Sequence, residues 1–461
     1  MPGFHIEHFG CRAARADGEA ISGRLRAAGQ HSVHELADAD VVVVNSCSVT
    51  AEADRQARAF IRRAHRENPA AKIVVTGCYA QRAPEELAAL AGVAGVVGNS
   101  HKALAPQIVL NLAHSAASES LQKPEAIVTV QTLLAGGTPV WVDDHFAHSF
   151  IEEAPITPGA QTRPNLKIQE GCGNRCTFCV IPYTRGSSKS LPHAAVMRKV
   201  EDFVAAGGNE LVLSGINLGR WGKDLTPRVP FARLAREILE RTGLPRLRLS
   251  SIEPMDWDHE LIGLMAEFGG VRLARHTHLP LQSGADAVLR RMHRRYRPWH
   301  YADKIAALTR AAGPDLTVGA DVMVGFPGET DAEFEETLDF VQALPFGYLH
   351  LFPFSPRPGT RGWDLHAQSP MAPHIVAGRM AALRVLAVEK AAAHRRRFVG
   401  RELDAITLHT PPALAACGRT AALTENFLPL RLESNMPANQ LVRVLISGLS
   451  SDGELEGNVT L

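Results

Sequence analysis

Three cysteines within eight residues constrain this chain more than any other feature. Gly171-Cys172-Gly173-Asn174-Arg175-Cys176-Thr177-Phe178-Cys179 has the spacing Cys-x3-Cys-x2-Cys. A structural zinc site wants four ligands, commonly as two separated pairs, and no local Cys or His completes this set. Three thiolates this close together can instead hold three irons of a cubane cluster, leaving the fourth iron open to a non-protein ligand. Glycines at 171 and 173 let the loop wrap tightly. The chain has 7 cysteines in all. An odd number argues against a disulfide framework and for metal or catalysis.

Three further cysteines share one local pattern. His5–Gly10 leads into Cys11, Val41–Ser46 into Cys47, and Lys72–Gly77 into Cys78. The last two leads are β-branched runs, read as buried parallel strands, and the first is a less clear strand. A helical stretch follows, as from Glu52 to Arg66. Strand, cysteine, helix, repeated three times, predicts a doubly wound α/β sheet with the thiols at the carboxyl ends of strands, where such sheets place ligands. The alternative is three unrelated buried cysteines. The repetition favours a second cluster with three protein ligands.

Cys172, Cys176 and Cys179 resemble the signature of the radical S-adenosylmethionine (SAM) enzymes. Asn45-Ser46-Cys47-Ser48-Val49-Thr50, Gly77-Cys78-Tyr79-Ala80-Gln81, Gly325-Phe326-Pro327-Gly328-Glu329-Thr330 and Phe354-Ser355-Pro356-Arg357-Pro358-Gly359-Thr360 narrow the resemblance to the methylthiotransferases, over nearly the whole chain. The resemblance implies two 4Fe-4S clusters. One, on Cys172, Cys176 and Cys179, binds SAM and cleaves it to a deoxyadenosyl radical. The other, on Cys11, Cys47 and Cys78, carries the sulfur that is methylated and transferred. It also implies an external one-electron donor, while the sulfur source stays open. No side chain outside the cluster ligands is assigned as catalytic. Cys11-Arg12-Ala13-Ala14-Arg15 departs from the amide-bearing run usual in the family, which puts hydrogen bonding around that cluster in question.

Ser250-Ser251-Ile252-Glu253-Pro254 and Arg294-Arg295-Tyr296 look like the group acting on N6-threonylcarbamoyladenosine beside the tRNA anticodon. Two sister groups act on N6-isopentenyladenosine of tRNA or on an aspartate of a ribosomal protein. A reading of another class is a non-catalytic iron–sulfur protein that binds tRNA or senses redox state. Structural clusters usually have four protein ligands, whereas both sets here have three.

Length and composition agree with several ordinary globular domains: 461 residues, 45% hydrophobic, 21% charged. Residues 1 to about 120 are expected to form the three-cysteine α/β domain, 121–160 a connector with an edge hairpin around Val140 to Val142, and 161–397 the radical SAM core. Six strand–helix repeats in that core, together with the resemblance, predict a partial (β/α)6 barrel. Residues 398–461 read as a small β-barrel resembling the RNA-binding TRAM domain. Cys417 is expected to fill a strand there.

Gly215, Asn217, Ser251, Glu253 and Gln282 follow predicted barrel strands and are candidates for holding SAM, against the plainer roles of turn glycine, solvated glutamate and capping amide. Gly325–Glu329 is expected to shape the backbone into the next helix. Net charge is +1, so any nucleic-acid contact needs local patches. Arg55–Arg66, Arg290–Arg297 and His394–Arg397 are the candidates, the second beside Tyr296 and Trp299, which suits unstacked tRNA bases. No apolar run reaches the roughly 18 residues a membrane span needs. The chain is expected to be cytoplasmic.

Overall fold

A computed structural model describes residues 2–114, 137–146 and 164–460. Most of the expected connector lies outside the described residues. The chain divides into two compact units, Met1–Pro155 with Glu170–Lys189 and Ser355–Trp363, and Ile156–Gln169 with Ser190–Phe354 and Asp364–Leu461.

The first unit is built on a parallel sheet of β1 (Gly3–His8), β2 (His31–Ser32), β3 (Val41–Ser46), β4 (Lys72–Gly77), β5 (Val93–Gly98) and β6 (Val140–Trp141), in the order β2-β1-β3-β4-β5-β6. Val41–Val44 explains why both faces must be covered. Val42 and Val44 pack with Ile73 and Val75 against Phe60 and Ile61 of α2 (Ala51–Glu67). Val41 and Val43 turn the other way, onto Ile21 and Leu25 of α1 (Arg12–Ala27) and Ile108 and Val109 of α3 (Ala105–His114). An all-apolar strand fits only between two helical layers. The expected hairpin near Val140 is instead a parallel edge strand, pairing Val96 with Val140 and Val97 with Trp141. Two residues of β-branched and aromatic type bordered by turns do not reveal the direction of their partner.

In the second unit β7 (Asn165–Glu170), β9 (Glu210–Gly215), β10 (Arg246–Leu249), β11 (His276–His278), β12 (Thr317–Val324) and β13 (Phe346–Pro353) run parallel in chain order, with the two-residue β8 (Lys189–Ser190) at the edge. Between β10 and β11 the ladder passes through Leu247 and Leu273. This is the expected partial barrel. Leu211, Leu213, Leu247, Leu249, Val318, Ala320 and Val322 are buried on one face. The alternate positions carry Glu210, Ser214, Arg248, Ser250, His276, His278, Asp321, Tyr348 and His350. Arg248–Glu210, His276–Tyr348 and His278–Asp321 contacts put these on one shared face. A closed (β/α)8 barrel fills its interior with branched apolar layers; this polar interior is suited to a ligand.

The terminal barrel closes in the order β14-β15-β16-β18-β17, with β14 Glu402–Thr407, β15 Thr420–Thr424, β16 Pro429–Leu432, β17 Leu441–Leu449 and β18 Leu455–Thr460. Leu403, Ala405, Leu430, Val444, Ile446 and Leu455 fill it. Cys417 is not a strand filler. It is exposed in a turn after the short helix Pro412–Ala415.

Candidate functional site

Sheet order gathers the first three cysteines. β1, β3 and β4 are adjacent, with His8 opposite Asn45 and Asn45 opposite Thr76. Cys11, Cys47 and Cys78 therefore leave neighbouring strands at nearly one level, and Cys11 and Cys47 flank the point where strand order reverses. Two glycines make the approach possible. A Cβ on Gly10 (φ +126°) would lie 2.4 Å from Cys47 Cβ and 3.0 Å from its Sγ. One on Gly77 (φ +100°) would lie 2.3 Å from the Ser46 carbonyl oxygen. Cys47 and Cys78 are buried, and Cys11 is exposed. Burial, then the nearby Cys78 and Cys11 sulfurs, push the Cys47 thiol up to about 12. A buried thiol that resists ionising alone is a donor that a multiply charged iron centre relieves.

Two hydrogen-bond donors reach this set. Asn99 Nδ2 lies 3.4 Å from Cys78 Sγ and also donates to the Thr184 carbonyl at 2.8 Å. Arg185 Nε donates to Cys78 Sγ at 3.2 Å. The expectation from the Arg12–Arg15 run concerned polar groups near Cys11; in this chain Asn99 and Arg185 bring donors to Cys78. Arg185 Nη1 pairs with Asp17 at 3.0 Å and Glu170 at 2.7 Å, and Lys102 Nζ contacts both carboxylates. All four charges are buried. Burial pulls the Arg185 guanidinium down, but Cys78, Glu170 and Asp17 hold it well above its usual value.

The second cysteine loop starts at the carboxyl end of β7. Gly171 has φ +66°, and a Cβ there would sit 2.1 Å from the Ser187 carbonyl oxygen. Cys172 N donates to the Gly186 carbonyl at 3.0 Å, Cys179 N to that of Cys176 at 3.1 Å, and Asn174 N approaches Cys172 Sγ at 3.4 Å. Cys172, Cys176 and Cys179 are half-buried, as suits a cluster with one corner facing a co-substrate. The 355–363 segment steadies both loops. Ser355 Oγ accepts from Ala51 N at 3.0 Å, Arg357 pairs with Asp54 at 2.5 Å, and Gly362 N donates to the Thr177 carbonyl at 2.7 Å. Asp54 also holds Arg82 at 2.9 Å. The sequence marked this segment as a family motif but gave no sign of what it touches.

In the second unit, Gly215 ends β9, and a Cβ there would lie 2.8 Å from Gln169 Cβ and Oε1. Asn217 N donates to that Oε1 at 2.7 Å. Ser251 is half-buried after β10. Glu253 accepts from Arg294 at 2.5 Å, so its carboxylate is not simply solvated. Gln282 is buried at φ +67°, and its backbone bridges Asp321 and Met323. Ser214 Oγ, Ser250 Oγ and Gln282 Oε1 are buried without a hydrogen-bond partner among the described residues. Buried polar atoms of this kind call for a polar ligand, and these sit at the carboxyl ends of β9, β10 and β11.

A cluster not singled out in the sequence lies beside them. His278 Nε2 is 3.1 Å from Asp321 Oδ2, His350 Nδ1 is 3.3 Å from Oδ1, and Tyr348 OH is 3.1 Å from His278 Nδ1. Burial pushes the Asp321 carboxyl up, but hydrogen bonds from His278 and His350 hold it well below the ordinary range. The alternation of His276 and His278 was the only signal in the sequence.

Glu329 has the backbone role expected. Its Oε2 accepts from Gly325 N at 3.0 Å and from Arg379 at 2.7 Å. Several arginines of the arginine-rich segments form ion pairs at or near the surface. Arg55 pairs with Glu52, Arg58 with Glu86, Arg290 with Asp286 and Arg291 with Glu333. Tyr296 is fully buried on the Pro280 and Leu281 carbonyls, so it does not stack on a base; Trp299 is exposed. His394 is buried, and Arg395 and Arg397 bond the carbonyls of Gly453 and Pro314. Among the described residues no single helix is long and apolar enough to cross a membrane.

Residues 3–98 match the family described as Uncharacterized protein family UPF0004, and residues 166–341 match the Radical SAM superfamily. The threonylcarbamoyladenosine tRNA methylthiotransferase MtaB of Aquifex aeolicus is 33% identical over 96% of this chain and 99% of its own length. Its namesake in Bacillus subtilis is 37% identical over 77% of this chain and 74% of its own. The tRNA-2-methylthio-N(6)-dimethylallyladenosine synthase of Acidothermus cellulolyticus is 33% identical over 95% of this chain and 82% of its own. The solved structure of the radical S-adenosylmethionine methyltransferase TsrM from Kitasatospora setae covers 80% of this chain and 78% of its own, with TM-score 0.58 and 15% identity, a likeness of fold alone. A superfamily match of this kind brings a 4Fe-4S cluster and SAM with it. With its paired UPF0004 and radical SAM regions and relatives matched end to end, the chain belongs to the radical SAM methylthiotransferase family.

Proposed function

We propose that this chain methylthiolates N6-threonylcarbamoyladenosine beside the anticodon of tRNA, in the cytoplasm, with two 4Fe-4S clusters and SAM. The observation that carries the reading is the placement of Cys11, Cys47 and Cys78 on adjacent strand ends, separate in sequence from the Cys172, Cys176, Cys179 loop. Relatives bearing the threonylcarbamoyladenosine name, 31–37% identical, support the choice of substrate.

When bound, the clusters and SAM supply the radical and sulfur chemistry that no side chain can. The chain's own residues orient and shield them. Cys172, Cys176 and Cys179 would hold the SAM-binding cluster, and Cys11, Cys47 and Cys78 the auxiliary one. Gly215 leaves room for close approach, and Asn217, Ser251, Glu253 and Gln282 would hold SAM by hydrogen bonds. The electron donor is external. Residues 1–120, 161–397 and 398–461 are read as the auxiliary-cluster, radical SAM and TRAM-like domains; the last would bind tRNA. The dimethylallyladenosine synthases, 32–33% identical, keep isopentenyladenosine as the second reading.

Mass spectrometry of nucleosides from bulk tRNA of a deletion strain and its parent tests the proposal. Loss of the methylthio form of threonylcarbamoyladenosine, with the unthiolated form accumulating, is the expected outcome. Loss confined to the isopentenyl counterpart would transfer the assignment to the second reading. No change in either would exclude both.

A further inference from the structure

Arg185 has no assigned role, yet it occupies a demanding position. It ends the helix Ile181–Arg185, six residues after Cys179, and is fully buried. Its Nε donates to Cys78 Sγ at 3.2 Å, while Nη1 is clamped between Asp17 and Glu170. Asp17 lies on the helix that follows Cys11, and Glu170 immediately precedes the Gly171-Cys172 loop. Nη2 is buried with no partner among the described residues.

Two points speak against a purely structural arginine. Burying ions is costly, and apolar side chains would fill such a volume at no loss of stability. Arg185 and Lys102 balance Asp17 and Glu170, so the clamp is neutral before any thiolate is counted. Thiolate binding of iron adds negative charge beside a guanidinium that already donates to one sulfur. A hydrogen bond and a positive charge at a cluster sulfur favour the reduced, more negative state, which raises the potential. An acceptor arriving with the cluster would also engage Nη2.

We propose that Arg185 is a positioning residue of the auxiliary cluster: its Nε–H holds the Cys78 sulfur, and it raises the potential of that centre. The inference rests on the reading of Cys11, Cys47 and Cys78 as cluster ligands.

The test uses the full chain carrying Cys172→Ala, Cys176→Ala and Cys179→Ala, so that any iron reports on the auxiliary set. Redox titration followed by electron paramagnetic resonance compares this background with added Arg185→Gln and Arg185→Lys. Arg185→Gln should lower the reduced-to-oxidised ratio at fixed potential about tenfold, equivalent to ~59 mV for one electron. Arg185→Lys, keeping charge but not the planar donor, should fall between. A merely structural arginine would cost iron or yield and leave the potential of the remaining cluster in place, and that result overturns the proposal. Should Arg185→Gln hold no iron, the background protein labelled with 15N-arginine decides. Nitrogen hyperfine coupling to the reduced cluster supports the contact, and its absence overturns it. A background protein that binds no iron would instead refute the two-cluster reading, a separate failure.

Discussion

Residue by residue, the proposed function gives the six cysteines two sets with different tasks, and single substitutions should separate them. Cys176→Ala should abolish reductive cleavage of SAM. Cys78→Ala should preserve cleavage and lose thiolation of tRNA. Deoxyadenosine release and nucleoside analysis on the same preparations check both, and normal product from either variant would refute the division. Anaerobic reconstitution of the unaltered chain should give about eight irons, two clusters of four. A ceiling of about four, unchanged by Cys47→Ala, would refute a second cluster. All six cysteines were conspicuous in the sequence because a thiol's chemistry resides in its own side chain. Arg185 and Asn99 were not, because their role comes only from contact with a cysteine 107 and 21 positions away.

Among the elements, the helix after Cys47 depends on a carboxylate shared between distant segments. Asp54 accepts from Arg82 at 2.9 Å and Arg357 at 2.5 Å, and all three side chains are mostly buried. Asp54→Ala leaves two buried guanidinium groups without their counter-charge and should destabilise the chain by about 3–5 kcal/mol. Denaturant unfolding measures this, and a change within ~0.5 kcal/mol would show that the clamp does not matter. Iron retention should fall with it, since Cys47 lies four residues before α2. Strands and helices were legible wherever period and caps agreed. In Phe231–Arg241 the apolar Phe231, Leu234, Ala235 and Ile238 recur at helical spacing, and Thr330 and Glu333 form the capping box that opens Asp331–Ala343. β18 is poorly marked in the sequence because Leu455–Thr460 includes glycine, asparagine and glutamate, which weaken the strand pattern.

For the whole molecule, one buried histidine makes stability depend on pH. His394 Nε2 lies 2.9 Å from Thr317 Oγ1, and burial, reinforced by Arg397 and Arg395, lowers its value from 6.5 to about 4. The fold therefore favours the neutral ring. As pH falls below 6.5 the unfolded chain takes up a proton that the folded chain refuses. Stability from this group should decline from there to about pH 4 and then level off, by roughly 3 kcal/mol in all. Urea unfolding at pH 7 and pH 4.5 should show the loss in the unaltered chain and a smaller one in His394→Gln. Equal losses in both would place the pH dependence elsewhere.

The sequence alone determined the parallel α/β framework, the terminal barrel and the family, and it singled out six cysteines as candidate ligands, because these depend on side-chain chemistry and short-range periodicity. Tertiary structure decided which charges are spent inside the molecule. Arg291, from a run that suggested an RNA surface, proved to pair with Glu333 42 positions away, and Tyr296 turned inward. It also decided that Asp17, Lys102, Glu170 and Arg185 meet beside Cys78. Charged groups find their partners through space, and spacing along the chain carries no record of contacts made across it.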